Sequence, residues 1–262
     1  NRGNQPWRRF PWRAELGWAS SLWTLGAKQF GQLVAINDWL AATDARPVPL
    51  VPHRFRSAEL FGNEKALDDL AKTTLFADGR LSYELLRCTR YAAPLPAAVV
   101  GGGPDILVVE NSDPYWVAVE ALRSSPDHPV GAVVWGCGRS FPSQVASLAT
   151  DVAGRGPVAG TIWYWGDLDP TGVAIAIAAA EQADRHGVGN LAPAAALWQA
   201  FASCGISQAG KHEWTDVGHS WLGGTLWDSL SGVRAASGRV PQEAVPVGEV
   251  AAWAAGLPRP PG

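Results

Sequence analysis

Three acidic residues follow two short apolar segments, and together they have the chemistry of a cation site. Glu110 follows Asp-Ile-Leu-Val-Val, and Asp167 and Asp169 follow Thr-Ile-Trp-Tyr-Trp-Gly. If the two segments are neighbouring parallel strands, the three carboxylates share one edge of a sheet. Converging carboxylates repel one another unless a cation neutralises them, and hard oxygen ligands suit Mg²⁺ or Mn²⁺. The pattern therefore favours a metal site at this edge.

A plain structural interpretation of the same acids stays open. Asp169 precedes Pro170 and could cap a helix that begins at the proline. Asp113 before Pro114 has the same form, and there we favour the cap. Glu110 could pair with an arginine or be solvated.

A second chemical interpretation concerns Asp167 alone. The run Asp-Leu-Asp-Pro-Thr that begins there fits the Asp-x-Asp-x-Thr signature of haloacid-dehalogenase-like phosphatases, in which the first Asp is the nucleophile. That family has the motif on its first strand, with a lysine and an acidic pair on later strands. Here two predicted strands precede the motif, and Lys211 is the only lysine after it. A phosphatase that uses Asp167 is the weaker alternative.

The elements that would position these acids alternate between strand and helix in the second part of the chain. Strands are predicted over 106–109, 131–135 and 161–165, and helices over 114–122, 143–152, 170–185 and near 249–255. This alternation predicts an α/β fold, with a parallel sheet covered by helices.

The first part of the chain has a different pattern. Helices are predicted over 30–42, 64–72 and 81–87, joined by Arg-rich connections that are compatible with a winged-helix module. Pro94, Pro96 and a run of glycines then interrupt the chain. The predicted organisation is a basic arm or linker (1–28), a small, mostly helical winged-helix module (29–100), and an α/β domain with a C-terminal extension (101–262).

Composition restricts the classes of protein that fit. No apolar run approaches the roughly 20 residues of a membrane span. The three cysteines are far apart, which predicts free thiols in a cytoplasmic protein. The chain begins at Asn1 and contains no Met, so we expect it to be a fragment.

Charge is distributed unevenly. Residues 1–100 contain 13 Lys and Arg against 9 Asp and Glu, whereas residues 101–262 contain 8 against 15. A basic part joined to an acidic part suits a protein that binds a polyanion with one and divalent cations with the other.

Four segments, taken in order, resemble the C-terminal part of the JetD family. They are INDWL (36–40), RSAELFGNEKALDDL (56–70), LVVENSDPYW (107–116) and YWGDLDPTGVAIA (164–176). That family comprises the nuclease subunits of Wadjet plasmid-defence systems and is related to the A subunit of topoisomerase VI. The Glu-Asn pair and the Gly-Asp-x-Asp-x-x-Gly run are specific in combination.

The resemblance implies a CAP-like winged-helix module followed by a Toprim domain, in a homodimer that cleaves double-stranded DNA under the control of an SMC-type motor complex. It implies that Glu110 is a metal ligand or acid–base group and that Asp167 and Asp169 are metal ligands for Mg²⁺ or Mn²⁺. Asn111 would orient the neighbours of Glu110, and Gly166 and Gly172 would allow tight turns around the site.

The topoisomerase relatives attack DNA with a tyrosine of the winged-helix module. Tyr83 and Tyr91 lie in this module, but neither follows an Arg-then-paired-Tyr pattern, so we favour hydrolysis.

Basic residues of the same module, His53, Arg54 and Arg56, could touch DNA phosphates or form an ordinary solvated loop. A hypothesis of another class is a catalytically silent Toprim-like module that binds DNA or assembles with partners.

Overall fold

The computed structural model describes residues 5–125 and 127–258. The chain divides between Tyr91 and Ala92 into two compact units, each with its own apolar core. The predicted boundary at residue 100 differs from this division, because residues 97–99 pair with a strand of the second unit.

The first unit is mostly helical. Its helices are α1 (Ala27–Thr43), α2 (His53–Phe61) and α3 (Ala66–Leu70), and its strands are β1 (Val51–Pro52) and β2 (Cys88–Thr89). Helix α1 follows the predicted pattern, since Leu33, Ile36 and Leu40 recur on one face and are buried. The winged-helix assignment stays a prediction, since β1 and β2 form only a two-residue parallel pair.

Two predictions in this unit differ from the structure. Residues 81–87 form turns instead of a helix, and Arg87 ends them in a left-handed conformation with φ 48°. The segment predicted as a basic arm or linker contains 3-10 helices over Pro6–Arg8 and Ala14–Ser21. It contributes Trp7 and Leu16 to the core of the unit, because removing apolar side chains from water is favourable.

The second unit contains a five-stranded sheet in the order β3-β5-β4-β6-β7. The strands are β3 (Ala97–Val99), β4 (Asp105–Val109), β5 (Val130–Trp135), β6 (Ile162–Trp165) and β7 (Leu191–Pro193). All neighbours are parallel except the edge strand β3, which is antiparallel to β5. The three predicted strands are confirmed; β3 and β7 were not predicted, because each spans only three residues.

Helices surround this sheet. They are α4 (Ser112–Arg123), α5 (Phe141–Gln144), α6 (Pro170–Arg185), α7 (Ala195–Ala200), α8 (His219–Leu222), α9 (Gly224–Ser229), α10 (Ser231–Ala235) and α11 (Val247–Ala255). The predicted helix over 143–152 is instead the short α5 followed by a 3-10 helix over Val145–Ala149. Helices α4, α6 and α11 follow their predicted ranges within a few residues, whereas α7 to α10 were not predicted.

The core of the second unit explains why its strands are apolar along their length. Ile106, Leu107, Val108 and Val109 of β4 are all buried, as expected for a parallel sheet covered on both faces. The fold is mixed α/β with a mostly parallel sheet flanked by helices, which is consistent with a Toprim-like fold. Within the described ranges, every helix is too short or too polar to cross a bilayer.

The central strand gives a test of this core. Leu107 is fully buried in β4, so Leu107→Ala should lower the free energy of unfolding of the second unit by about 2–5 kcal/mol. Urea denaturation followed by circular dichroism measures this loss. The control is Val247→Ala at an exposed position of the same unit, which should change stability by less than about 0.5 kcal/mol. Equal losses in the two variants would contradict the assignment of β4 to the core.

Candidate active site

The structure brings the three predicted acids together at one edge of the sheet. Strands β4 and β6 are parallel neighbours, with Val109 opposite Trp165. The chain therefore leaves both strands at the same level, and Glu110 lies beside the turn that contains Asp167 and Asp169. The predicted neighbour relation is confirmed.

Glu110 is buried, and in the part of the chain that the structure describes its carboxylate is bonded by uncharged donors. Its Oε2 accepts a hydrogen bond from the Tyr164 hydroxyl at 3.0 Å and one from the Asp167 amide at 3.3 Å. Burial, reinforced by the Asp167 and Asp169 carboxylates, raises the pKa of Glu110 from 4.5 to about 7, against the opposing effect of its two hydrogen bonds. Glu110 can therefore exchange a proton near neutral pH.

Asp167 has partners for both carboxylate oxygens. Its Oδ1 accepts hydrogen bonds from the Gln242 amide at 2.9 Å and from the Asn111 side chain at 3.0 Å. Its Oδ2 lies 2.7 Å from a guanidinium nitrogen of Arg239. Burial raises the pKa of Asp167, and the Gln242 amide and Arg239 oppose that rise.

Asp169 caps a helix and also faces the site. Its Oδ1 accepts a hydrogen bond from the Gly172 amide at 2.8 Å, and α6 begins with Pro170. The capping interpretation of Asp169 is thus confirmed. Its Oδ2 lies 3.5 Å from Nε of Arg239, so the cap and the ion pair use different oxygens.

Two glycines allow the chain to turn this tightly. A Cβ at Gly166 would collide with the Glu110 carboxylate and lie 2.9 Å from the Tyr164 ring. A Cβ at Gly172 would collide with the Asp167 carbonyl oxygen. Larger residues at either position would displace an acid of the site.

A segment near the C-terminus completes the site, and the sequence analysis missed it. Gln242 is 1 % exposed; its side chain donates to the Trp165 carbonyl and accepts from the Asn111 amide, each at 2.9 Å. Arg239 lies three residues earlier, held by an isolated bridge between Val240 and Leu168. The segment has no periodic pattern, and only tertiary pairing reveals its role.

An open cleft of about 710 Å³ lies at this edge of the sheet. The lining includes Glu110, Asn111, Asp113, Asp167, Arg239 and Glu243. Trp135, Cys137 and Gly138, which follow or end β5, form another part of the wall. The cleft is therefore acidic, and Arg239 is the cationic residue among the side chains that line it.

The donor chemistry suits a hard cation, but the carboxylates are not arranged as a finished binding site. In the described part of the chain, no three His, Cys, Asp or Glu side chains form a group that could hold a metal ion. The cation that does lie at the site is the Arg239 guanidinium, which contacts Asp167 and Asp169. The metal site predicted from the sequence stays a prediction.

The structure treats the three predicted DNA-contact residues differently. His53 is buried and bonds to Asp68 at 2.7 Å. Arg56 is also buried, where it donates to the Leu86 carbonyl and pairs with Glu59. Only Arg54 is exposed, although it also reaches Asp68. The prediction of DNA contact therefore depends on Arg54.

The two tyrosines of the first unit that the sequence singled out differ in exposure. Tyr83 is half-buried and packs against Phe76 and His53. Tyr91 is 54 % exposed.

Part of the chain matches a known protein family. The model of the family described as "Wadjet protein JetD, C-terminal" matches residues 68–185. The matched range contains Glu110, Asp167 and Asp169 but ends before Arg239 and Gln242. No curated protein and no solved structure matches the chain.

The raised pKa of Glu110 predicts how stability depends on pH. Burial stabilises the protonated form, so this contribution is fully present below pH 4.5 and is lost as the pH rises through about 7. Glu110→Gln keeps the shape and cannot ionise. It should therefore increase the free energy of unfolding by up to about 3 kcal/mol at pH 8.5 and have little effect at pH 4.

Urea unfolding at a series of pH values measures this difference. The matched control is Glu120→Gln on the exposed side of α4, which should change the free energy of unfolding by less than about 0.5 kcal/mol. A stability change in Glu110→Gln that is the same at both ends of the pH range would contradict the assigned pKa.

Proposed function

We propose that this chain, which the match over residues 68–185 identifies as a JetD-type protein, is the nuclease of a Wadjet defence system. The proposed reaction is hydrolysis of a phosphodiester in double-stranded plasmid DNA. The observation that supports it is the convergence of Glu110, Asp167 and Asp169 at the carboxyl edge of the parallel sheet, where Glu110 and Asp167 line one cleft.

The chemistry of the cleft supports a division of roles. Glu110, whose pKa lies near 7, would take a proton from the attacking water or return one to the leaving oxygen. Asp167 and Asp169 would hold Mg²⁺ or Mn²⁺, with Glu110 as a third ligand or as the acid–base group. When bound, the cation supplies polarisation of the phosphodiester and neutralises charge on the leaving oxygen.

The remaining contacts would orient these groups. Tyr164 holds Glu110 from within the core, and Asn111 bonds to Asp167. Gln242 ties the turn after β4 to the end of β6, which keeps the acids at a fixed separation.

Charge supports DNA as the substrate. The 13 Lys and Arg and 9 Asp and Glu of residues 1–100 all lie within the first unit, which is therefore basic. The second unit contains 8 against 15 and would need cations to approach a polyanion. In the same proposal the protein acts in the cytoplasm as a homodimer with an SMC-type motor complex.

One observation favours a second candidate, a catalytically silent Toprim-like module that binds DNA or assembles with partners. Arg239 already neutralises Asp167 and Asp169, as expected of a site that no longer needs a cation. Nothing comparable favours a phosphatase, because both oxygens of Asp167 are engaged by Gln242, Asn111 and Arg239.

The two candidates differ in one measurable outcome. Supercoiled plasmid is incubated with the full-length protein, its SMC-type complex and Mg²⁺ or Mn²⁺, and nicked and linear products are separated on agarose. The proposed nuclease cleaves, and Glu110→Gln reduces the rate at least ~100-fold because it removes the acid–base group. Glu120→Gln, a matched change at an exposed position, should cleave like the unmodified protein.

Absence of cleavage with either metal would favour the silent module. Cleavage that survives Glu110→Gln would retain the nuclease and reject the site. A double variant, Tyr83→Phe with Tyr91→Phe, should cleave normally. If it is inactive, the result would favour a mechanism in which a tyrosine, rather than water, attacks the DNA.

A further inference from the structure

We infer that Arg239 is a resident counter-cation of the site, and that a divalent cation must displace its guanidinium from Asp167 and Asp169 in order to bind. The inference rests on the proposed function and adds one step to it, the displacement of the Arg239 guanidinium before a cation binds. Arg239 lies outside the range matched by the family model and was not part of the predicted site.

The use of the carboxylate oxygens supports this assignment. Asp167 and Asp169 each give one oxygen, Oδ1, to a backbone amide, that of Gln242 or Gly172. Each turns the other oxygen, Oδ2, toward Arg239, at 2.7 Å and 3.5 Å. The guanidinium therefore lies at the two oxygens that the fold leaves for a cation.

Arg239 contacts Asp167 more closely than Asp169, which makes displacement of its guanidinium feasible. Its terminal nitrogen forms a good hydrogen bond with Asp167, whereas its buried Nε has no hydrogen-bond partner in the described chain and only the longer ion pair with Asp169. The side chain is 27 % exposed and lines the cleft, so it has space to leave.

Only the side chain has to move. The Arg239 backbone exchanges two hydrogen bonds with Ser207, at 2.8 and 2.9 Å, and the next residue, Val240, exchanges two with Leu168. These bonds hold the segment in place while the side chain rotates toward solvent.

The number of positive charges distinguishes the guanidinium from a divalent cation as a partner of the carboxylates. A guanidinium brings one positive charge to two carboxylates, the buried Asp169 and the partly buried Asp167, and Glu110 lies beside them. A divalent cation brings two charges and matches the acids better, but it has to overcome the ion pairs that Arg239 already makes. Removal of Arg239 should therefore weaken the metal-free protein and strengthen metal binding.

Isothermal titration calorimetry with Mn²⁺, without DNA, tests the inference on the full chain. Arg239→Gln should bind Mn²⁺ at least roughly ten-fold more tightly than the unmodified protein, because no ion pair has to be broken. Its Tm should be lower without metal, and saturating Mn²⁺ should raise that Tm by more than it raises the Tm of the unmodified protein.

Two further variants separate this role from general effects. Arg234 is another partly buried arginine, which bonds to the Trp227 carbonyl and stacks on its ring, and Arg234→Gln should lower the Tm without changing Mn²⁺ affinity. Arg239→Lys keeps the charge but cannot bridge two carboxylates as a guanidinium does. It should show an intermediate affinity, and it serves as the test if Arg239→Gln does not fold.

The Mn²⁺ titrations distinguish failure of this inference from failure of the proposed cation site. Equal or weaker Mn²⁺ binding after both substitutions of Arg239, with binding by the unmodified protein, would overturn the inference and leave the proposed cation site intact. Absence of Mn²⁺ binding in every variant would reject the cation site itself, and the inference with it.

Discussion

The parallel pairing of β4 with β6 is the constraint on which the site depends. It brings Glu110 to the level of the turn that contains Asp167, so like charges meet in a partly buried cleft. Such an arrangement is unfavourable unless hydrogen-bond donors and cations compensate it. Much of the local structure around this edge supplies that compensation, through backbone amides, the Tyr164 hydroxyl and one arginine.

The C-terminal segment is consequently part of the site rather than an appendage. Gln242 is almost completely buried, and its side chain and backbone contact both turns that hold the acids. Arg239 adds the positive charge from the same segment. An α/β core that ended after α6 would retain the three acids but would lose Arg239, which neutralises two of them, and Gln242, which holds Asp167.

The sequence predicted the acids and the strands before them because both depend on local pattern: an apolar run, then Glu or Asp-x-Asp. It could not predict Arg239, because no local feature distinguishes that arginine from others, and its partners lie about 70 residues away in the chain. The burial of His53 and Arg56 was missed for the same reason. His53 is satisfied by Asp68 and Arg56 by the Leu86 carbonyl, so two of the three residues in a basic run that suggested a surface are internal.

Glu110 gives the strongest physical argument for chemistry over a silent fold. Arg239 compensates Asp167 and Asp169, but the hydrogen bonds to Glu110 come from a hydroxyl and an amide. Its pKa near 7 shows that burial opposes its ionised form, so the carboxylate weakens the fold at neutral pH. A glutamine of the same shape would accept both hydrogen bonds without that cost. A buried acid that destabilises its own fold at the edge of an open cleft is typical of a site selected for proton transfer or cation binding.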